Sequence, residues 1–166
     1  MKKRDFDIAF RGLALGQHEF QYDLDDTFFT LFEYSDYRGL RGTTELKMLK
    51  SETVLDLELH FAGSIEVPCD ITNEMYTQAL KNSFVMQIKF GDEYNDENEE
   101  LLILPHGNYQ FNAAQMIYEL VVLSIPSKLL GPNAGNGLED LIEEEEDETE
   151  EKTDPRWDQL KNLLNK

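Results

Sequence analysis

The sequence predicts a single α+β domain on a mainly antiparallel, curved β-sheet, partly open and barrel-like, with one main packed helix. Three observations carry this expectation. Residues 54–69, VLDLELHFAGSIEVPC, put Leu55, Leu57, Leu59, Phe61, Ile65, Val67 and Cys69 on odd positions, with Asp56, Glu58, His60, Ser64 and Glu66 between them. A period of two gives one buried face and one wet face, the pattern of a long antiparallel strand. Tyr76, Leu80, Phe84, Met86, Ile88 and Phe90 then hold one even phase, so the chain returns as a second long strand. The clearest helical spacing runs from Asn112 to about Ser124, with Ala113, Met116, Ile117, Leu120, Val121 and Ser124 on one stripe.

Taken in order, residues 4–24 read as a hairpin. Phe6, Ile8 and Phe10 alternate with polar or small residues, Gly16-Gln17-His18 supplies a turn, and Phe20, Tyr22 and Leu24 return. Asp25, Asp26 and Thr27 offer N-caps to a short helix after this first hairpin, in which Phe28, Leu31 and Phe32 fall at i, i+3 and i+4. Gly39-Leu40-Arg41-Gly42 breaks that helix, and a strand follows from about Arg41 to Leu49. Within the long strand Gly63 keeps the phase without a side chain to pack, which predicts a bend or bulge there. The pattern leaves open whether the first residues after Tyr76 are strand or a turn of helix. Gly91 to Glu100 reads as an acidic loop too polar to pack, and Leu101 to Leu104 as a short strand stopped by Pro105-His106-Gly107.

The main helix begins with Asn112 as N-cap and Gln115 in the position of a capping box. Pro126 ends it, pushing Ile125 toward extended geometry. The domain is expected to span residues 1–131. Residues 132–153 read as a flexible acidic linker, which cannot bury enough surface to fold alone. Residues 154–166 read as a short amphipathic C-terminal helix, with Asp154 as cap, Pro155 at the first helical position, and Trp157, Leu160 and Leu164 on one face. A helix that short needs a covered apolar face. Trp157, the chain's only Trp, is then either an interface anchor or a cap folded back onto the sheet.

Charge is concentrated rather than spread. The formal net charge is −19, and residues 139–151 hold ten acids and residues 92–100 six, out of 34 Asp and Glu in all. This balance disfavours phosphate-backbone binding over the whole surface and favours basic protein partners. The basic residues Lys2, Lys3, Arg4 and Arg11, with Arg38, Arg41, Lys47 and Lys50, are the one positive concentration. They are possible RNA contacts if they share a face, although interleaved Asp5, Asp7 and Glu45 favour ordinary surface pairing. The N-terminus has the charge of a signal peptide but no apolar run follows, and no stretch approaches the ~18 apolar residues a membrane span needs. The expected setting is soluble and cytoplasmic, and one Cys suits a reducing compartment.

Chemistry-bearing residues are sparse. Cys69 at the end of an apolar strand phase reads first as a small buried hydrophobe. His18, His60 and His106 fit no metal-ligand spacing, no nucleophile has a base nearby in sequence, and no phosphate loop occurs, so neither cofactor, metal nor catalytic residue is expected. Glu119, by itself, is a solvated or locally paired helix residue.

The order of several motifs resembles a known family. The run Val67-x-Cys69-Asp70-x-x-x-Glu74 after a glycine-interrupted strand is similar to the turn of the YceD family, the large ribosomal RNA subunit accumulation proteins of bacteria and plastids, whose members show a Cys-Asp-Arg-Cys-Leu-like sequence there. Ile71 stands in place of the Arg and Thr72 in place of the second Cys. Gly42-Thr43-Thr44 is similar to the family's lead-in strand. Glu119 and Pro126 match its Glu-x-Leu-x-Leu-x-x-Pro segment. Asp154-Pro155-Arg156-Trp157-x-x-Leu160 resembles its C-terminal signature.

The resemblance implies a non-enzymatic ribosome-biogenesis factor supporting 23S rRNA accumulation, with a ribosomal protein or large-subunit precursor particle as partner and rRNA touched indirectly. It singles out Cys69, Asp70, Glu119, Pro126, Asp154, Pro155, Arg156, Trp157 and Leu160 as partner-binding candidates. Two alternatives stand beside it: a direct RNA-binding module using the N-terminal basic residues, and an acidic chaperone for basic proteins.

Overall fold

The computed structural model describes residues 1–98 and 100–134. The acid run after Glu139 and the segment from Asp154 to Lys166, with Trp157, lie outside the described residues.

Strand β2 (Gly16–Asp25), β3 (Arg38–Lys50), β4 (Val54–Pro68) and β5 (Met75–Gly91) form a four-strand antiparallel meander, extended by β6 (Asn95–Asn98) and β7 (Leu101–Pro105). Sheet order is β2-β3-β4-β5-β7-β6, and β7 runs parallel to β5. The sheet stays open, with β2 and β6 as its edges, and does not close toward a barrel. A second ladder joins β1 (Asp7–Ile8) to β8 (Phe111–Asn112). Helix α1 (Asp26–Thr30) follows β2, and α2 (Ala114–Val122) follows β8.

The period-two reading holds along β4: Leu55, Leu57, Leu59, Phe61, Ile65, Val67 and Cys69 are all buried. Each large apolar side chain so removed from water contributes about 1.5–3 kcal/mol. In register, Leu46 of β3 lies opposite Leu59, and Leu57 opposite Met86 of β5, so neighbouring strands point their apolar residues to the same face. β5 is strand from its first residue, which settles the question left at Tyr76.

Gly63 carries no bulge. Its register is continuous with Gly42 on one side and Leu80 on the other, and the irregularity in β3 falls between Arg38 and Arg41. A Cβ on Gly63 would lie 2.6 Å from the Arg41 carbonyl oxygen and 2.8 Å from the Phe61 ring, and one on Gly42 would lie 2.6 Å from the same ring. The two glycines face each other so that Phe61 can lie across both, an aromatic ring filling the gap that paired glycines leave in a sheet.

The N-terminal hairpin is not formed. Residues Lys3–Phe6 and Phe10–Gly12 are 3₁₀ turns, and β1 between them pairs with β8, while β2 pairs only with β3. Phe6, Ile8 and Phe10 are nevertheless buried. Two tight turns about a short bridge send alternate side chains inward as a strand does, so the alternation reported burial correctly and pairing wrongly. Phe6 lies 5.0 Å from the Tyr22 ring and 5.3 Å from that of Phe28, and so caps the inner face of the sheet.

Helix α1 is capped as expected, with the Thr27 amide donating to Asp25 Oδ1 at 2.9 Å, and it buries Phe28 and Phe29. Asp26 Oδ1 accepts from the Leu40 amide at 2.8 Å, which ties the helix to the start of β3. At α2, Asn112 Oδ1 accepts from the Ala114 amide at 3.0 Å, while Gln115 makes no capping box and donates instead to Glu119 Oε1 at 2.7 Å. Ala114, Ile117, Leu120 and Val121 are buried against the sheet, and Asn82 Nδ2 of β5 donates to the Leu120 carbonyl at 3.3 Å. Tyr118 on the flank of α2 stacks on Phe32 at 4.3 Å and so joins the two helical regions.

Candidate functional site

Two places gather the residues of interest. The first is the turn after β4. Cys69 donates its amide to the Glu74 carbonyl and accepts from the Asn73 amide, both at 2.9 Å, closing a turn in which Asn73 takes a left-handed φ of 56°. Asn tolerates that conformation better than most residues. The Asp70 amide donates to the Leu129 carbonyl at 2.8 Å, and Asp70 Oδ2 accepts from the Leu129 amide at 2.7 Å. Asn133 Nδ2 adds a bond to Glu74 Oε2 at 2.9 Å, and Leu129 and Ala134 are buried. The segment that follows Pro126 is therefore strapped to this turn, which brings Cys69 and Asp70 to the stretch immediately after α2.

Cys69 is 2% exposed, as the packing reading expects, but its surroundings are polar. Hydrogen bonding from the Thr72 hydroxyl first, then from the backbone N–H groups of Thr72, Gly131 and Ile71, lowers the thiol to about 7, against an opposing effect of burial. Hydrogen bonds to a thiolate favour the charged form. Thr72, at the position of the second Cys in the resembled turn, exerts the largest influence on the thiol. Among the described residues no group of three or more His, Cys, Asp and Glu comes together as a metal site would need.

The second place lies beside α2, where Glu119 faces the sheet's far edge. The acidic stretch read as a loop contains β6, whose chain runs back so that β7 inserts between it and β5. A cavity of about 400 Å³ opens between this edge and α2, with Phe84, Met86, Leu102 and Met116 on its floor and Tyr94, Asp96 and Glu119 at its mouth. Its size falls in the range of ligand and side-chain pockets. Along the other side of α2 runs a groove of about 600 Å³ that shares Phe84, Met116 and Glu119 with it and ends at Leu123. Leu123 is 77% exposed, an unusual place for a leucine on a well-packed helix.

The Tyr94 hydroxyl donates to Asp96 Oδ2 at 3.0 Å. Burial first, then that bond and the charges of Asp96 and Glu119, push its phenol above the ordinary value. The two carboxylates, from β6 and from α2, therefore act on one space. Sequence reasoning named Glu119 here and missed Tyr94, Asp96 and Leu123. An aromatic set inside the acid run at Tyr94 was the available signal.

The remaining candidates stand apart from both places. Pro126 is exposed just beyond α2. Lys2, Lys3, Arg4 and Arg11 are exposed on the two 3₁₀ turns, with Lys3 Nζ 4.9 Å from the centre of the Phe32 ring. The surface pairing expected of these cations is not found: among the described residues the ion pair present joins His60 to Glu58. Asp154, Pro155, Arg156, Trp157 and Leu160 lie outside the described residues. No helix among the described residues is long and apolar enough to cross a membrane.

Residues 57–164, more than half of the chain, match the model of the family described as large ribosomal RNA subunit accumulation protein YceD. No curated protein and no solved structure matches the chain.

Proposed function

Since the chain belongs to the YceD family of large ribosomal RNA subunit accumulation proteins, we propose that it is a non-enzymatic, cytoplasmic factor that supports 23S rRNA accumulation by binding a basic ribosomal protein or a large-subunit precursor particle. The family match is the observation that carries this reading. The charge distribution supports the kind of partner: the sixteen acids of residues 92–100 and 139–151 give an electronegative protein that steers basic proteins and repels naked RNA. Contact with rRNA is then indirect.

In this reading the domain of residues 1–131 is the rigid platform, and Arg156 and Trp157 are anchors carried on residues 154–166 by the acidic linker, since Trp and Arg dominate interface hot spots. Asp70 and Cys69 shape the turn that holds the segment after Pro126, and Asp154, Pro155 and Leu160 shape the terminal anchor.

The deciding experiment is depletion of the protein with large- and small-subunit rRNA followed together. The reading expects the large-subunit RNA to fall relative to the small. An unchanged ratio removes it.

The cations Lys2, Lys3, Arg4 and Arg11, exposed and in no ion pair among the described residues, favour a second reading, direct RNA contact. It expects tight, salt-sensitive binding of naked rRNA by the purified protein, lost when Lys2, Lys3 and Arg4 are neutralised.

A further inference from the structure

We propose that the cleft beside α2 is the docking site for a basic protein segment that alternates Lys or Arg with an apolar anchor, the anchor entering over Phe84 and Met116 while the cations meet Glu119 and Asp96. This deepens the function proposed above and rests on it for the partner being ribosomal; the chemistry of the segment rests on the cleft alone.

Three observations converge on this occupant. The cavity and the groove share Phe84, Met116 and Glu119, so they form one continuous depression along α2, long enough for a stretch of chain and not only a single side chain. Its floor is apolar and its exposed end carries Leu123, 77% open to solvent. Its rim is anionic from two independent elements, Asp96 on β6 and Glu119 on α2. An apolar floor under a carboxylate rim suits Lys and Arg, whose aliphatic stems lie on apolar surface while their heads reach charge. The same rim repels phosphate, so a nucleic acid is the wrong occupant.

Part of the acid stretch 92–100 returns as β6 at the sheet edge beside the cleft. Pairing of Asn95 with Ile103 and of Asn98 with Leu101 on β7 flanks Asp96 at the cleft mouth, and the Tyr94 hydroxyl donates to its carboxylate at 3.0 Å. Carboxylates already held in place bind cations better than mobile ones, because less ordering cost remains at the moment of binding.

The test uses the full chain and a short fluorescein-labelled peptide of alternating Lys-Leu and Arg-Phe pairs, followed by fluorescence anisotropy. One control peptide carries Ser for Leu and Phe, keeping the charge, and a short single-stranded RNA is titrated alongside. The expected result is binding of the first peptide, weakened about tenfold by Glu119→Lys and similarly by Leu123→Ser, both exposed positions that leave the fold intact. Glu45→Lys, on the opposite face of the sheet, should leave binding unchanged.

Equal weakening by Glu119→Lys and Glu45→Lys, or equal binding of the Ser peptide, overturns the proposal in favour of non-specific attraction. Competition by the RNA for the same variants' site overturns it too. Tighter peptide binding on Trp157→Ala in the full chain would show that the chain's own C-terminal segment fills the cleft, which also overturns it. If depletion leaves the rRNA ratio unchanged while Glu119→Lys and Leu123→Ser still weaken peptide binding about tenfold, the biogenesis reading fails and the docking site stands.

Discussion

Asp70 and Leu129, fifty-nine positions apart, exchange two hydrogen bonds: the Asp70 amide to the Leu129 carbonyl at 2.8 Å, and the Leu129 amide to the Asp70 carboxylate at 2.7 Å. The pair pins the segment after α2 to the turn after β4. That segment sets Gly131 against Cys69, where a Cβ on Gly131 would lie 3.3 Å from the Cys69 Cβ, so the fastening and the thiol's environment belong together.

Asp70→Ala leaves the Leu129 amide without its acceptor. Loss of a bond to a charged group should cost about 1.5–3 kcal/mol, at the low end here because Asp70 is exposed. Urea unfolding measures the loss, and amide exchange should accelerate at Leu129 while that of β4 stays slow. Asp70→Asn retains an acceptor oxygen and should lose less.

The Cys69 thiol, held down to about 7, links stability to pH. An unfolded thiol titrates near ~8.5. The folded state therefore holds the thiolate more readily, and its contribution is complete above the unfolded value and lost as pH falls through about 7. Thermal unfolding followed from pH 6 to pH 9 should show wild type gaining stability with pH relative to Cys69→Ser. Parallel curves would remove the effect.

Tyr94 reports on the cleft. Removing one of the charges that raise its phenol should lower it, so Glu119→Gln should shift the Tyr94 titration toward the ordinary value. The shift can be followed by NMR of ring-labelled tyrosine. An unmoved Tyr94 would mean that β6 and α2 do not face each other across the cleft.

Gly63→Ala forces a methyl to 2.6 Å from the Arg41 carbonyl oxygen, a backbone atom that cannot swing aside, and to 2.8 Å from the Phe61 ring. Overpacking of this kind costs about 1–3 kcal/mol. Chemical denaturation should show it; Phe61→Ala alone removes a buried ring and costs more, about 3–5 kcal/mol, but in a double-mutant cycle Gly63→Ala should cost less in the Phe61→Ala background than in wild type.

Thr44 is fully buried between Tyr22 and Phe61 in register, and its hydroxyl has no hydrogen-bond partner among the described residues. Thr44→Val removes an unsatisfied polar atom at almost constant shape and should stabilise the protein by about 1 kcal/mol. A lower unfolding midpoint for the variant would contradict this.

Local pattern carried much of the sheet. The odd phase of residues 55–69, the even phase of residues 76–90 and the stripe of α2 each reappear as buried faces, because burial at a period of two or 3.6 is written into neighbouring residues. The N-terminal segment shows where this stops. Phe6, Ile8 and Phe10 announced their burial, yet their partner is β8, a hundred residues away, and nothing local distinguishes that bridge from a hairpin with β2. The acidic stretch failed likewise: β6 exists because β7 supplies its hydrogen bonds, not because Asn-Asp-Glu-Asn favours a strand.

By itself, the sequence determined which faces are wet, where the charge lies, and through its ordered motifs the family. Tertiary structure alone decided that Asp96 and Glu119 rim one cleft and that Gly131 lies against Cys69. The reason is physical: hydrophobic alternation is a short-range property of the chain, whereas a site is made by residues whose closeness depends on how strands insert and on where the chain returns.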